Sequence, residues 1–255
     1  MDNTHYWEEK DIRANKALKA TAYIENHYFD DIDFGVNSSI VYGENATRPK
    51  PTEVKLDKQS ILVVPIDSVS ALYEYGEGKT CVLNFASFKH PGGHYLNGSK
   101  AQEECLCSES ILYNVLRRFD TFYKWNGNHS NNHLYVNRAI YSSILFNRDK
   151  NYRRFDVLTC AAPNFSSASK YCNVSKDENE AVLKDRIDFI IDILNEQKVD
   201  TVILGAFGCG VFGQNATVVA NYFKEAIKRL NAKVVFAVLE SKYDTNYQQF
   251  VRVFS

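Results

Sequence analysis

CVLNFASFKHPGGHYLNGSKAQEECLCSESILYNVL, residues 81–116, is the stretch from which the fold can be read. Val82, Leu83, Phe85 and Ala86 form a short, nearly continuous apolar run, the pattern of a strand covered on both faces. Pro91, Gly92, Gly93 and Gly98 then interrupt regular structure and let the backbone approach a ligand closely. Ser99 and Gln102 have the spacing of a capping box, which predicts a helix start there. Ala101, Cys105, Leu112, Val115, Leu116 and Phe119 would keep one face of that helix in the core. Glu103 and Glu104 then stand in its first turn, beside backbone donors and a loop able to hold phosphate or ribose.

Upstream, residues 11–27 read as an amphipathic helix through Ile12, Leu18, Ala22 and Ile24. Residues 30–57 are polar and carry Gly35, Gly43, Pro49 and Pro51, which predicts a connector; Val36, Ile40, Val41 and Tyr42 suggest a short strand inside it. Residues 61–66 predict a strand, and residues 69–75 a short helix closed by Gly76 and Gly78. Downstream, residues 120–133 are asparagine-rich and read as an exposed loop. Residues 134–146 predict one or two strands, residues 147–154 a charged turn, and residues 155–161 a buried strand. Residues 166–177 look irregular. A helix over residues 180–197 follows, with Val182, Leu183, Ile187, Ile190, Ile191 and Leu194 on one face.

The last third alternates: strand 201–204, a glycine loop 205–213, a helix to about residue 230, strand 233–239 and a short C-terminal helix. Val219, Tyr222, Phe223, Ala226, Ile227 and Leu230 fit helical spacing. Such alternation is the mark of parallel crossover units and places the chain in the α/β class. No repeat, low-complexity tract or Pro/Gly-rich hinge divides the 255 residues, so residues 1–255 read as one domain.

The formal net charge of −1 gives no long-range field to recruit nucleic acid or acidic membrane, and neither is expected as a partner. Residues 1–10 lack the apolar stretch of a signal peptide and no run approaches ~20 apolar residues, so a soluble cytoplasmic protein is expected. The six cysteines are scattered and read as reduced thiols rather than a disulfide framework. His94, Cys105 and Cys107 are too closely spaced for a zinc finger and show no fourth ligand. His129 and His133 read as solvated surface residues. No metal or other cofactor is expected.

Ligands of parallel α/β sheets bind outside the carboxyl ends of the strands, where loops lead into helices. Gly208, Cys209, Gly210, Val211, Phe212 and Gly213 suit a diphosphate there, because glycines leave backbone N–H groups free to point at oxygens. The loop lacks the Lys-Ser/Thr of an ATP-hydrolysing phosphate loop and the spacing of a dinucleotide fingerprint. Glu103 and Glu104 suit glycosidic chemistry, in which the leaving group needs a proton and water needs a base. Their proximity raises the pKa of at least one, while a helix entrance lowers it; both outcomes stay open at this level. An acidic first helical turn without catalysis has the same pattern.

Residues 91–104, PGGHYLNGSKAQEE, resemble the signature of poly(ADP-ribose) glycohydrolases, a GGG followed by a spacer and QEE. The closer likeness is to the shorter microbial type, built on a macrodomain. Asn84 to Ser87, the AIYSS at Ala139 to Ser143, the AAPN at Ala161 to Asn164 and the GAFGCGVFG of Gly205 to Gly213 match as well, in order, over nearly the whole chain. The resemblance implies a three-layer α/β/α macrodomain-like fold with a mixed central sheet, carrying an N-terminal helical extension of about residues 1–58. It implies hydrolysis of ribose glycosidic bonds in poly(ADP-ribose) or ADP-ribosylated protein, with ADP-ribose as the bound unit.

The resemblance also assigns residues. Glu104 is implied as the catalytic acid/base, Glu103 as a ribose-hydroxyl ligand, and Gln102 as support for the loop. Asn84, Ala86, Ser87, Gly92, Gly93, His94 and the loop from Gly208 to Gly213 are implied at the ligand, with Phe212 against the distal ribose. His94 stands where the family has a third glycine, and its side chain is expected to take space or to demand a compatible φ. That departure leaves a second reading, a non-catalytic reader of ADP-ribose or a related nucleotide.

Overall fold

The computed structural model describes residues 3–43 and 60–255. Its centre is one seven-stranded sheet. The strands are β1 (Ile40–Tyr42), β2 (Ile61–Val64), β3 (Thr80–Phe85), β4 (Ala139–Arg148), β5 (Asn151–Cys160), β6 (Thr201–Leu204) and β7 (Lys233–Ala237), in the spatial order β1-β4-β5-β3-β6-β7-β2. β3 lies at the middle, parallel to β5 through Cys81↔Asp156 to Phe85↔Cys160 and to β6 through Thr80↔Thr201 to Val82↔Ile203. β7 and β2 continue the parallel set, while β4 pairs antiparallel with β5 and with β1. The sheet is therefore mixed, as expected.

Among the described residues ten α-helices cover it: α1 (Asn3–His27), α2 (Phe29–Asn37), α3 (Ser68–Tyr75), α4 (Gln102–Ser108), α5 (Leu112–Leu116), α6 (Asp120–Asn128), α7 (Phe165–Cys172), α8 (Lys176–Glu196), α9 (Ala216–Ala226) and α10 (Asn246–Phe254). The two-residue period of β3 sorts them into layers. Cys81 and Leu83 join a core with Leu183, Ile187 and Ile190 of α8, Val219 and Phe223 of α9, and Phe250 of α10. Val82 faces the other way, into a core built from Ala17 of α1, Ile32 of α2, Leu72 of α3, Leu106 of α4, Val115 of α5 and Phe122 of α6. The result is three layers, α/β/α.

Several expectations change. The first helix begins at Asn3 rather than residue 11, and a second, α2, takes residues 29–37 of the presumed connector. Gly35 lets α2 pack closely on α5, since a Cβ there would lie 2.8 Å from Val115 Cγ2. Tyr42 anchors the expected short strand, although Val36 is helical; residues 44–57 of that connector lie outside the described residues. The capping box at Ser99 and Gln102 does not form: α4 has Ala101 at its N-cap with no side-chain bond. Gln102 is drawn instead toward β3. The helix expected through residue 119 breaks into α4 and α5, because Ser110 bridges to Phe146 of β4.

Residues 120–128 form α6, not an exposed loop, since Phe122 and Tyr123 are buried among the asparagines. Residues 165–172 form α7, capped by Asn164 Oδ1 accepting from the Ser167 N–H at 3.0 Å, where irregular chain was expected. β4 and β5 extend through the presumed charged turn, leaving Asp149 and Lys150 at the hairpin tip with positive φ. The turn is short because both residues adopt the left-handed region that tight hairpins require.

Candidate active site

The carboxyl ends of β2, β3, β5, β6 and β7 open on one cleft of about 710 Å³. It is lined by Ile66 and Asp67 after β2, Phe85 of β3, Ala162 after β5, the loop from Ala206 to Phe212, and Val238 and Leu239 after β7. The lining is mostly apolar, with polar groups at Asp67, Ser68, Lys100, Gln102, Ser241, Asp244 and Asn246. Phe85 and Lys100 to Gln102, which flank the first glycine loop, thus share one cleft with the second, more than a hundred residues away.

Gln102 joins the loop to the sheet. Its Oε1 accepts from the Phe85 N–H at 2.9 Å, and its Nε2 donates to the Leu83 carbonyl at 2.9 Å and to Ser68 Oγ at 3.1 Å. The side chain replaces the ladder partner that β3 loses where β6 ends, which explains why it does not cap its own helix. Glu103 is 3% exposed, with Oε2 accepting from the Ser87 N–H at 2.7 Å and Oε1 from Asn84 Nδ2 at 3.2 Å. Burial pushes its carboxyl up to about 8; the charge of Glu104 adds to this, and the donors from Ser87 and Asn84 oppose it.

Glu104, 7% exposed, accepts the His94 N–H on Oε1 at 2.9 Å. Its Oε2 is buried and has no hydrogen-bond partner. Three of the four oxygens of this pair are engaged and one is free. Gly93 is required beside them: at φ +60 a Cβ would stand 2.5 Å from Glu104 Oε1 and 3.0 Å from Glu103 Oε2. Gly92, at φ +66, would put a Cβ 2.7 Å from the ring of Tyr113. His94 itself sits at φ −110, ψ 33, outside the left-handed region. The third glycine is therefore dispensable for backbone geometry, and the exposed imidazole leaves the N–H that holds Glu104 in place.

In the second loop the Gly213 N–H returns to the Gly210 carbonyl at 3.0 Å and the Gln214 N–H to Gly208 at 3.0 Å. The N–H groups of Gly210, Val211 and Phe212 have no protein acceptor among the described residues. Gln214 pins the loop from behind, donating to the Pro163 carbonyl at 2.7 Å and exchanging bonds with Asn179 of α8 at 2.9 Å. Gly208, at φ +76, passes so close to Ala162 that a Cβ would lie 2.8 Å from its methyl.

The expected residues divide between the cleft, the carboxylates and the packing behind them. Gln102, Gly208, Gly210, Val211 and Phe212 line the cleft. Ser87, Gly92, Gly93 and His94 surround the carboxylates, which do not line the cleft themselves, and Ala86 continues β3 with its N–H on the Cys160 carbonyl. Asn84 is fully buried and bonded to Glu103 and, at 3.3 Å, to Thr159, so it sits behind the carboxylate instead of at a ligand surface. The two-residue period of β3 dictates this: Asn84 shares the face of Val82, beneath α4. Cys209 and Gly213 shape the loop, Gly213 packing on Ser166.

Asp67 and Ser68 were missed by the sequence reading. Asp67 caps α3, accepting from the N–H groups of Val69 and Ser70, both at 2.9 Å. An Asp between a strand and the helix read at residues 69–75 is a cap signal that could have found it. All six cysteines are free thiols, as expected. Among the described residues no group of three His, Cys, Asp or Glu side chains could hold a metal, and no helix is long and apolar enough to cross a membrane.

A family model of the microbial-type poly(ADP-ribose) glycohydrolase catalytic domain matches residues 6–148. The chain belongs to this family. As a glycohydrolase it contributes α1 through β4 to the match, which includes both carboxylates and ends before the second glycine loop. Solved structures extend the likeness. The Thermomonospora curvata poly(ADP-ribose) glycohydrolase bound to the inhibitor ADP-HPD is 28% identical with a TM-score of 0.81, covering 95% of this chain and 99% of that one. A second structure of the T. curvata enzyme is 26% identical, also with a TM-score of 0.81, over 96% of this chain and 100% of that one. The Deinococcus radiodurans poly(ADP-ribose) glycohydrolase in complex with ADP-ribose is 23% identical with a TM-score of 0.76, over 88% and 96%, and supports the fold alone. No curated protein matches.

Proposed function

We propose that this glycohydrolase binds the terminal ADP-ribose of a polymer or of a modified protein and cuts its outer glycosidic bond with Glu104 as the acid and base. The observation that carries the assignment is the free Glu104 Oε2. The oxygens of Glu103 already accept from Ser87 and Asn84, and Oε1 of Glu104 from His94, so the buried Oε2 is the carboxylate oxygen of the pair with no protein partner.

The reaction follows from that division. Protonated at Oε2, Glu104 gives its proton to the leaving oxygen as the bond to the anomeric carbon breaks through an oxocarbenium-like state. The resulting carboxylate then takes a proton from the water that attacks the same carbon, releasing ADP-ribose and regenerating the acid. Glu103, each of whose oxygens has a second lone pair beyond Ser87 and Asn84, orients the ribose hydroxyls, and Asn84, acting through Glu103, is a positioning residue. The free N–H groups of Gly210, Val211 and Phe212 suit the diphosphate, the mostly apolar cleft suits the adenosine, and Phe212 packs on the distal ribose.

Glu104→Gln tests the assignment. Release of ADP-ribose from poly(ADP-ribose) should fall by roughly 10²–10⁴-fold, the usual worth of a general acid–base group, with ADP-ribose affinity nearly unchanged. Undiminished turnover by the variant sinks it. A polymer or a modified protein as substrate is distinguished by running both side by side. The six free thiols favour a reducing compartment such as the cytoplasm.

A further inference from the structure

The reading of Phe212 as the residue against the distal ribose leaves open what holds its ring, since its loop is glycine-rich and open to solvent. Tyr135 supplies the contact. It is 6% exposed and meets Phe212 edge-on, with ring centroids 6.2 Å apart and planes at 61°. On its other side it stacks on Phe88, with centroids 4.3 Å apart and planes 13° from parallel. Phe88 belongs to the loop that carries Ser87, the donor to Glu103, and its carbonyl accepts from buried Asn126 at 2.7 Å. Three rings therefore run from the carboxylate side of the site to the diphosphate side. Each ring comes from a different loop.

The middle ring is held against a conformational cost. Tyr135 has φ +61, and Asn131, Asn132 and His133 before it have φ of 44, 52 and 64. Left-handed backbone at a bulky residue is strained and persists only where the surroundings enforce it. Here they do. The Tyr135 N–H donates to the Ser130 carbonyl at 3.1 Å, and its own carbonyl accepts from Asn131 Nδ2 at 3.3 Å. The Asn164 N–H donates to the His133 carbonyl at 2.9 Å. The Ser166 N–H, two residues on, donates to the Phe212 carbonyl at 3.1 Å, so the segment after β5 fixes both Tyr135 and Phe212.

We infer that Tyr135 is a positioning residue for glycoside hydrolysis: wedged between Phe88 and Phe212, it sets the Phe212 ring against the distal ribose and ties that ring's placement to the loop holding the catalytic carboxylates. The inference rests on the proposed ribose contact of Phe212. A side chain that fixes the reacting sugar affects the chemical step more than the binding of ADP-ribose as a whole, most of whose contacts lie with the cleft and the diphosphate loop.

The test is steady-state hydrolysis of poly(ADP-ribose) by Tyr135→Leu, Tyr135→Phe, Phe212→Ala and the Leu/Ala double variant, with ADP-ribose affinity measured calorimetrically and folding checked by thermal melting. Leu keeps apolar volume but offers no flat face; Phe keeps the ring and loses only the hydroxyl. Tyr135→Leu should lower kcat by about 10–10²-fold, the scale of a misplaced reacting group, with little change in KM or ADP-ribose affinity. Tyr135→Phe should restore kcat to near that of the parent. The double variant should be no slower than Phe212→Ala alone, because the wedge has nothing left to place. If Phe212→Ala is silent, the ribose contact fails and the wedge falls with it. If Phe212→Ala is slow while Tyr135→Leu is not, or if the two losses multiply in full, the wedge alone is wrong and the ribose contact stands.

Discussion

Two adjacent glutamates have different environments because a helix turns about 100° per residue, which sends neighbouring side chains in different directions. Glu103 is aimed at Ser87 and Asn84, Glu104 at the His94 N–H. The raised pKa of Glu103 has a consequence for stability. Between its ordinary value near 4.5 and about 8 the folded protein keeps a proton that the unfolded chain releases, so the unfolded state binds fewer protons and stability falls as pH rises. Each unit of pH in that window lowers stability by up to about 1.4 kcal/mol. Glu103→Gln should flatten this slope, and urea titrations at pH 5 and pH 8 would measure it. A slope identical to the parent's would mean that Glu103 is ionised in the fold. At Gly93, alanine should abolish hydrolysis while the sheet stays intact, because the added methyl collides with both carboxylates; activity with a native melting curve is the measurement.

At the scale of elements, α1 belongs to the site as much as to the N-terminal extension. Arg13 Nε donates to the Gly98 carbonyl at 2.8 Å, and Gly98, at φ +74, lies so close that a Cβ would overlap the Lys10 carbonyl. Gly98→Ala should push α1 off the signature loop, costing at least about 1–3 kcal/mol from the backbone strain alone, readable as a lowered denaturant midpoint. α8 shows a purer local signal. Ser175 and Glu178 form a reciprocal capping box, and Ser175→Ala should cost about 1 kcal/mol without touching activity. The same spacing at Ser99 and Gln102 does not cap, although the local letters are equally suitable. The difference is tertiary: Gln102 finds the Phe85 N–H and the Leu83 carbonyl on β3, partners that no local rule can see.

For the whole molecule, ligand and fold are linked through the cleft at the strand ends. ADP-ribose at one hundred times its dissociation constant should stabilise the protein by about 2.7 kcal/mol, seen as a raised melting temperature. Glu104→Gln should keep that shift, separating binding from chemistry in one assay. With a net charge of −1, the proposed anionic polymer substrate has no long-range field to draw it in and would rely on local donors. KM for the polymer should accordingly change by less than about tenfold between 50 and 200 mM salt, unlike proteins that neutralise many phosphates.

Residues 81–116, 201–213 and 233–239 carried their strands, glycine loops and carboxylates in plain view, because a strand buried on both faces is continuously apolar and a tight turn needs glycine. Those are local requirements, and the amino-acid order alone determined the α/β class, the two loops and the candidate pair Glu103 and Glu104. What only the tertiary structure decided were relations between distant segments: Gln102 bonded to β3, Asn84 placed behind Glu103, α6 and α7 folded from polar chain around Phe122, Tyr123 and Ala168, and Tyr135 wedged between Phe88 and Phe212. Each of these depends on which side chain satisfies or buries another across the sheet, and the energies that choose among such partners arise only when the layers close.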